Sequence, residues 1–122
     1  MKSMNEINKI AVNVLGTRYT IAFKSEKEEE RLEENWGFCD FYAKEIYIRD
    51  DIEEEAKDNC RNLEEFKKKV IRHEIIHAFL YESGLRENTH RTDAWAEDEE
   101  MVDWIAIQMP KLTKIFNELG IM

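Results

Sequence analysis

The stretch RHEIIHAFLYESG, residues 72–84, decides how this chain is read. Its histidines, His73 and His77, stand four residues apart, and on an α-helix that spacing stacks them on one face. Leu63, Phe66, Val70, His73, His77 and Leu80 fall on one arc, so the imidazoles continue an inward-facing apolar stripe. Asn62 as N-cap, Glu64 and Glu65 in the first turn and Gly84 past the end predict a helix over 63–83. Lys68 and Arg72 project from the opposite side. Ile75, Ile76, Ala78, Phe79 and Leu80 make the second half apolar nearly all round, which predicts a buried end.

A lone inward histidine is usually a hydrogen-bonded core residue. Two at this spacing, with a glutamate directly after the first, form a pattern with metal chemistry behind it. Zinc takes imidazole nitrogens at about 2.0–2.1 Å, and a catalytic site keeps three protein ligands and leaves the fourth position to water. The ion lowers the pKa of that water toward about 7. Glu74 projects from the same side of the helix, where a carboxylate can take the water's proton during attack on a carbonyl and later pass it to the leaving amine. His73-Glu74-Ile75-Ile76-His77 thus supplies two ligands and a general base.

The third ligand must come from elsewhere. The positions three, six and nine residues beyond His77 hold Leu80, Ser83 and Arg86, which excludes the extensions that complete the set with another histidine there. His90, in the loop GLRENTHRT, and the acids of WAEDEEMVDWIAIQMP remain. That second segment predicts a helix capped by Asp93 and running to about Met109, where Pro110 ends or restarts it, before a short closing helix in KLTKIFNELG. On its wheel Trp95, Val102, Ala106 and Met109 form the apolar stripe, Glu97 and Glu100 are solvated, and Asp98 and Glu99 lie at the two edges. Glu99 has Asp103 one turn on, placed to support a ligand imidazole from behind. Glu99 is therefore favoured, with Asp98 and His90 as distinct alternatives.

The first half of the chain has a different period. KIAVNVLG and TRYTIAF flank Gly16-Thr17 and predict a hairpin, and WGFCDFYAKEIYIRD predicts strands over about 37–42 and 45–49 with Ala43-Lys44 between them. The acidic run EKEEERLEEN, 26–35, predicts a short helix with a solvated face. The fold class is α+β: a small, mostly antiparallel sheet with helices on one side.

At 122 residues the chain suits a single domain spanning 1–122. Its 27 acidic against 18 basic residues give a formal net charge of −9, which repels phosphate backbones and anionic membranes and argues against nucleic acid or a membrane as partner. No run approaches the roughly 20 apolar residues of a membrane span, and MKSMNEINKI has no apolar core of a secretion signal, so a cytoplasmic protein is expected. Cys39 and Cys60, far apart and in no metal-type spacing, read as reduced thiols.

HEIIHAFLYESGL followed by EEMVDWIAIQMP resembles the small zincin domains of the gluzincin type, especially the phage- and mobile-element-associated ImmA/IrrE-like metallopeptidases. The resemblance spans about residues 65–112, with Val102 where that family usually has alanine. It implies a minimal zincin-like fold with the HExxH segment on its central helix. His73, His77 and Glu99 would be zinc ligands, Glu74 the general base and Asp103 the outer partner of the ligands. It also implies a protein or peptide substrate laid as an added strand along the sheet edge within 37–49. Trp36, Phe38, Phe41, Tyr42 and Tyr47 could line that groove, although aromatic residues in a small sheet are more often core. Tyr81, Arg86, His90 and Arg91 are near enough in sequence to stabilise an oxyanion, with nothing to choose among them. The expected function is zinc-dependent peptide hydrolysis. The alternative is a zinc-stabilised protein-binding module that holds its partner without cutting it.

Overall fold

The computed structural model of the chain describes residues 9–52, 62–85 and 98–122. Strands β1 (Lys9–Val14) and β2 (Thr17–Lys24) pair antiparallel, with Val14 opposite Thr17. The turn therefore lies at Leu15-Gly16, one residue before the expected Gly16-Thr17. Leu15 has φ 49° and Gly16 φ 89°, the left-handed pair that a two-residue hairpin needs. The Asn13 side chain accepts the Gly16 N–H at 2.7 Å and fixes the bend.

Strands β3 (Gly37–Asp40) and β4 (Glu45–Arg49) form the second hairpin. The strand expected to reach residue 42 stops at Asp40, because the Asp40 carboxylate accepts the N–H groups of Tyr42 and Ala43 at 3.1 and 2.9 Å and curls the chain. The sheet order is β1-β2-β4-β3, with β2 and β4 parallel and the other two pairings antiparallel. Among the described residues β3 is thus an edge strand. The acidic run yields only one 3-10 turn, Glu30–Leu32, rather than a short α-helix. Leu32 is its single apolar residue and is fully buried, so one turn gains all the packing there is to gain.

Helix α1 (Leu63–Glu82) begins at Asn62, whose side chain accepts the Glu65 N–H, and ends before Gly84 at φ 87°, as the sequence predicts. It lies on one face of the sheet. Tyr19, Ile21 and Phe23 from β2 and Ile46 and Ile48 from β4 pack there against Val70, Ile71 and Ala78. Removing such side chains from water is the main favourable contribution to the fold. Ala22, Leu32 and Tyr47, with Phe38 against them, cluster separately. Glu82, in the last turn of α1, accepts hydrogen bonds from Thr17 Oγ1 at 2.9 Å, Tyr19 Oη at 2.7 Å and Lys44 Nζ at 2.9 Å, which tie the helix end to both hairpins. The second half of α1 is not buried all round: Phe79 is exposed, and Ile75, Ile76 and Leu80 are half-buried. The sheet covers only one side of it.

Helix α2 (Glu99–Glu118) packs on α1. Asp98 is its N-cap, accepting the Met101 N–H at 3.1 Å, and the expected cap Asp93 lies outside the described residues. Pro110 neither ends nor restarts this helix. Proline removes the N–H that would have bonded the carbonyl four residues back, and Arg72 Nε donates to that carbonyl, on Ala106, at 2.8 Å. Arg72 therefore does not simply project to solvent; it crosses to α2. Val102 and Ala106 are fully buried, but Met109 is 43% exposed and leaves the expected stripe. Trp95 and Glu97 lie outside the described residues. Cys39 is a buried free thiol, and Cys60 is also outside them. Among the described residues, no helix is long and apolar enough to cross a membrane.

Candidate metal centre

His73 and His77 lie on α1 at the side turned toward α2, their ring centroids 4.9 Å apart. The helical spacing stacks them. Glu99, in the first turn of α2, reaches both: its Oε2 is 2.7 Å from His73 Nε2 and its Oε1 is 3.1 Å from His77 Nε2. One nitrogen from each histidine and one Glu99 oxygen all lie within 4.8 Å of one another, so the group could hold a metal ion. The donor set fits, since two imidazoles and one carboxylate are a three-ligand combination that zinc accepts while keeping a fourth position open.

Behind this group stands Asp103, one turn further along α2. Its Oδ1 is 3.1 Å from His73 Nδ1 and accepts a hydrogen bond from Lys69 Nζ at 2.9 Å. A carboxylate on Nδ1 keeps the proton there and leaves the Nε2 lone pair for a metal. Lys69 completes the support, 5.2 Å over the Phe66 ring. Its place was legible only in part: it stands four residues before His73, on the same helix face, but a lysine there reads as a solvated charge.

The electrostatics follow from burial and pairing. Glu74 is 7% exposed. Burial raises its carboxyl to about 7, against the opposing pull of His77 and His73. The hydrogen bonds from His73 and His77 hold Glu99 well below the ordinary carboxylate range. For His73, burial disfavours the charged form, yet the bonds to Glu99 and Asp103 and the field of Glu74 outweigh it and raise its pKa. For Asp103, burial is outweighed by the bonds from Lys69 and His73, and its pKa falls.

These groups open onto a cleft of about 840 Å³ between β3 and the helices. Glu74, His73, His77 and Glu99 line one wall, and Gly37 and Cys39 of β3 line another. Trp36, Phe38, Phe41 and Tyr42 also border it, whereas Tyr47 does not and packs in the cluster with Leu32. Tyr81 stacks on Phe41, with centroids 4.6 Å apart and planes 7° from parallel. Of the alternative third ligands, Asp98 is occupied as the α2 cap and His90 lies outside the described residues, as do Arg86 and Arg91. Comparison with protein-family models, curated proteins and solved structures found no match for this chain.

Proposed function

We propose that the chain is a small zinc metallopeptidase that hydrolyses a peptide bond in a protein partner. The observation that carries this reading is a buried carboxyl, Glu74, beside a three-ligand group at the wall of an open cleft. A purely structural site has no use for such a group. The α+β layout, with an edge strand facing the helix that bears HEIIH, agrees with the minimal zincin-like fold implied by the resemblance to the ImmA/IrrE-like family.

His73, His77 and Glu99 would hold the ion. Zinc, when bound, supplies Lewis acidity, polarising the carbonyl and acidifying a water. Asp103 fixes the His73 ring from Nδ1. Glu74 takes the proton of the attacking water on a carboxylate oxygen and delivers it to the leaving amine. Glu74 lines the same wall of the cleft as His73 and His77, where a carboxylate can serve both transfers.

The substrate would extend the sheet at β3. Arg49 donates its N–H to the Trp36 carbonyl at 2.9 Å, so in the antiparallel alternation residues 36, 38 and 40 bond to β4. The N–H and C=O of Gly37 and Cys39 then point to the outer edge, where an extended peptide can pair with them. The net charge of −9 supports a protein rather than a nucleic acid in that place.

The test is Glu74→Gln, with zinc-loaded protein and a peptide library read by mass spectrometry. Wild type should cleave and the variant should lose at least about a hundredfold in rate, at unchanged zinc per chain. Equal cleavage by both would overturn the mechanism. One zinc per chain with no cleavage by wild type would favour the binding module that holds its partner uncut.

A further inference from the structure

Glycine weakens a strand, because it costs more backbone entropy and packs no side chain, so one inside a strand marks a close approach or a special conformation. Gly37 opens β3, and its conformation is not the cause: the glycines with positive φ are Gly16, Gly84 and Gly120. Space is the cause. A Cβ at residue 37 would lie 2.8 Å from Glu74 Cγ, 3.2 Å from its Cδ and 3.1 Å from its Oε2. Carbon atoms meet favourably at about 3.5–4.0 Å. The closest atom is Cγ, in the middle of a buried side chain, so it cannot give way without moving the carboxyl that follows it.

We propose that Gly37 is a positioning residue for Glu74: the missing side chain of the edge strand is the space in which the Glu74 side chain lies, and it fixes where that carboxyl stands in the cleft. Its catalytic meaning rests on the metallopeptidase reading above. The same residue turns its N–H and C=O to the outer edge, so the backbone that would hold a substrate and the group that would move its proton are registered through one glycine. Any side chain at 37 pushes β3 outward or swings the carboxyl away.

The first test needs neither metal nor substrate. Gly37→Ala is measured by thermal unfolding of metal-free protein in three backgrounds. In the wild-type background a fall of about 5–10 °C is expected, the usual effect of overpacking in a domain this size. The same fall is expected with Glu74→Gln, which keeps Cγ, and less than a third of it with Glu74→Ala, which removes it. A fall of equal size in all three backgrounds, no fall in the first, or failure to fold in every background would overturn the proposal.

The second test reads position rather than stability. Acetohydroxamate, a metal-chelating probe that shares a proton with a neighbouring base, is titrated into zinc-loaded protein. Gly37→Ala should weaken it about tenfold at unchanged zinc per chain, and should add nothing to the loss in Glu74→Gln. Additive losses, or loss of zinc from Gly37→Ala, would overturn the proposal. If wild type binds no zinc, the metallopeptidase reading falls, while the unfolding comparison still decides the role of Gly37.

Discussion

Arg72 on α1 donates its guanidinium Nε to the backbone carbonyl of Ala106 on α2, at 2.8 Å. That carbonyl is the one Pro110 leaves without its helical partner. A side chain from one helix thus repairs the backbone of the next, and a proline inside α2 becomes compatible with a continuous helix over Glu99–Glu118. Arg72→Met should destabilise the protein by about 1–3 kcal/mol, the cost of leaving a carbonyl at a packed interface without a donor. In a Pro110→Ala background, where residue 110 regains its N–H, less than half of that loss should remain in urea unfolding. Equal losses in both backgrounds would show that the two residues are not coupled.

Zinc per chain, measured by elemental mass spectrometry, should be near one in the wild type and fall sharply in Glu99→Ala. Asp98→Ala should retain zinc and lose about 1 kcal/mol of stability, because Asp98 caps α2. Zinc kept in Glu99→Ala but lost in Asp98→Ala would reverse their roles.

Removing the support behind His73 should weaken the metal without abolishing it. Asp103→Ala is expected to lower zinc affinity by about 10–100-fold in competition with a chromogenic chelator. Lys69→Met should give a smaller loss and Lys69→Arg should restore most of it, since the carboxylate needs a cation to hold it in place. Unchanged affinity in Asp103→Ala would remove it from the site.

Stability of the metal-free protein should depend on pH through Glu74. Its carboxyl is raised from the ordinary 4.5 to about 7 in the fold by burial. The folded state therefore binds this proton more tightly than the unfolded state. The associated stability is fully present below pH 4.5 and is lost as pH rises to about 7, by roughly 3 kcal/mol at about 1.4 kcal/mol per unit. Glu74→Gln has no proton to lose, so its advantage over wild type should grow from pH 5 to pH 8. Parallel curves for the two proteins would show that Glu74 does not titrate in this range.

Much of this is legible in the sequence. The α1 caps at Asn62 and Gly84 are local signals, and the pairing of Glu99 with Asp103 follows from helical spacing alone. What escaped depends on contacts between distant segments. The continuation of α2 through Pro110 needs Arg72, which stands 34 residues before Ala106. The burial of Glu74 and the reason for glycine at 37 are one fact seen from two sides, and neither helix nor strand period carries it. The parallel pairing of β2 with β4 likewise depends on β4 lying between β2 and β3 rather than at the edge.

Residues 73 and 77 belong to one helix and residue 99 to the other, and α2 buries fully only Val102 and Ala106 of its described length. An ion shared by the two helices would act as a rivet across their seam. Amide hydrogen exchange should then slow most in the first turns of α2 when zinc is added, with the strands almost unaffected, because the ion raises the free energy of local opening there. Loss of such an ion would let the start of α2 open long before the sheet core came apart.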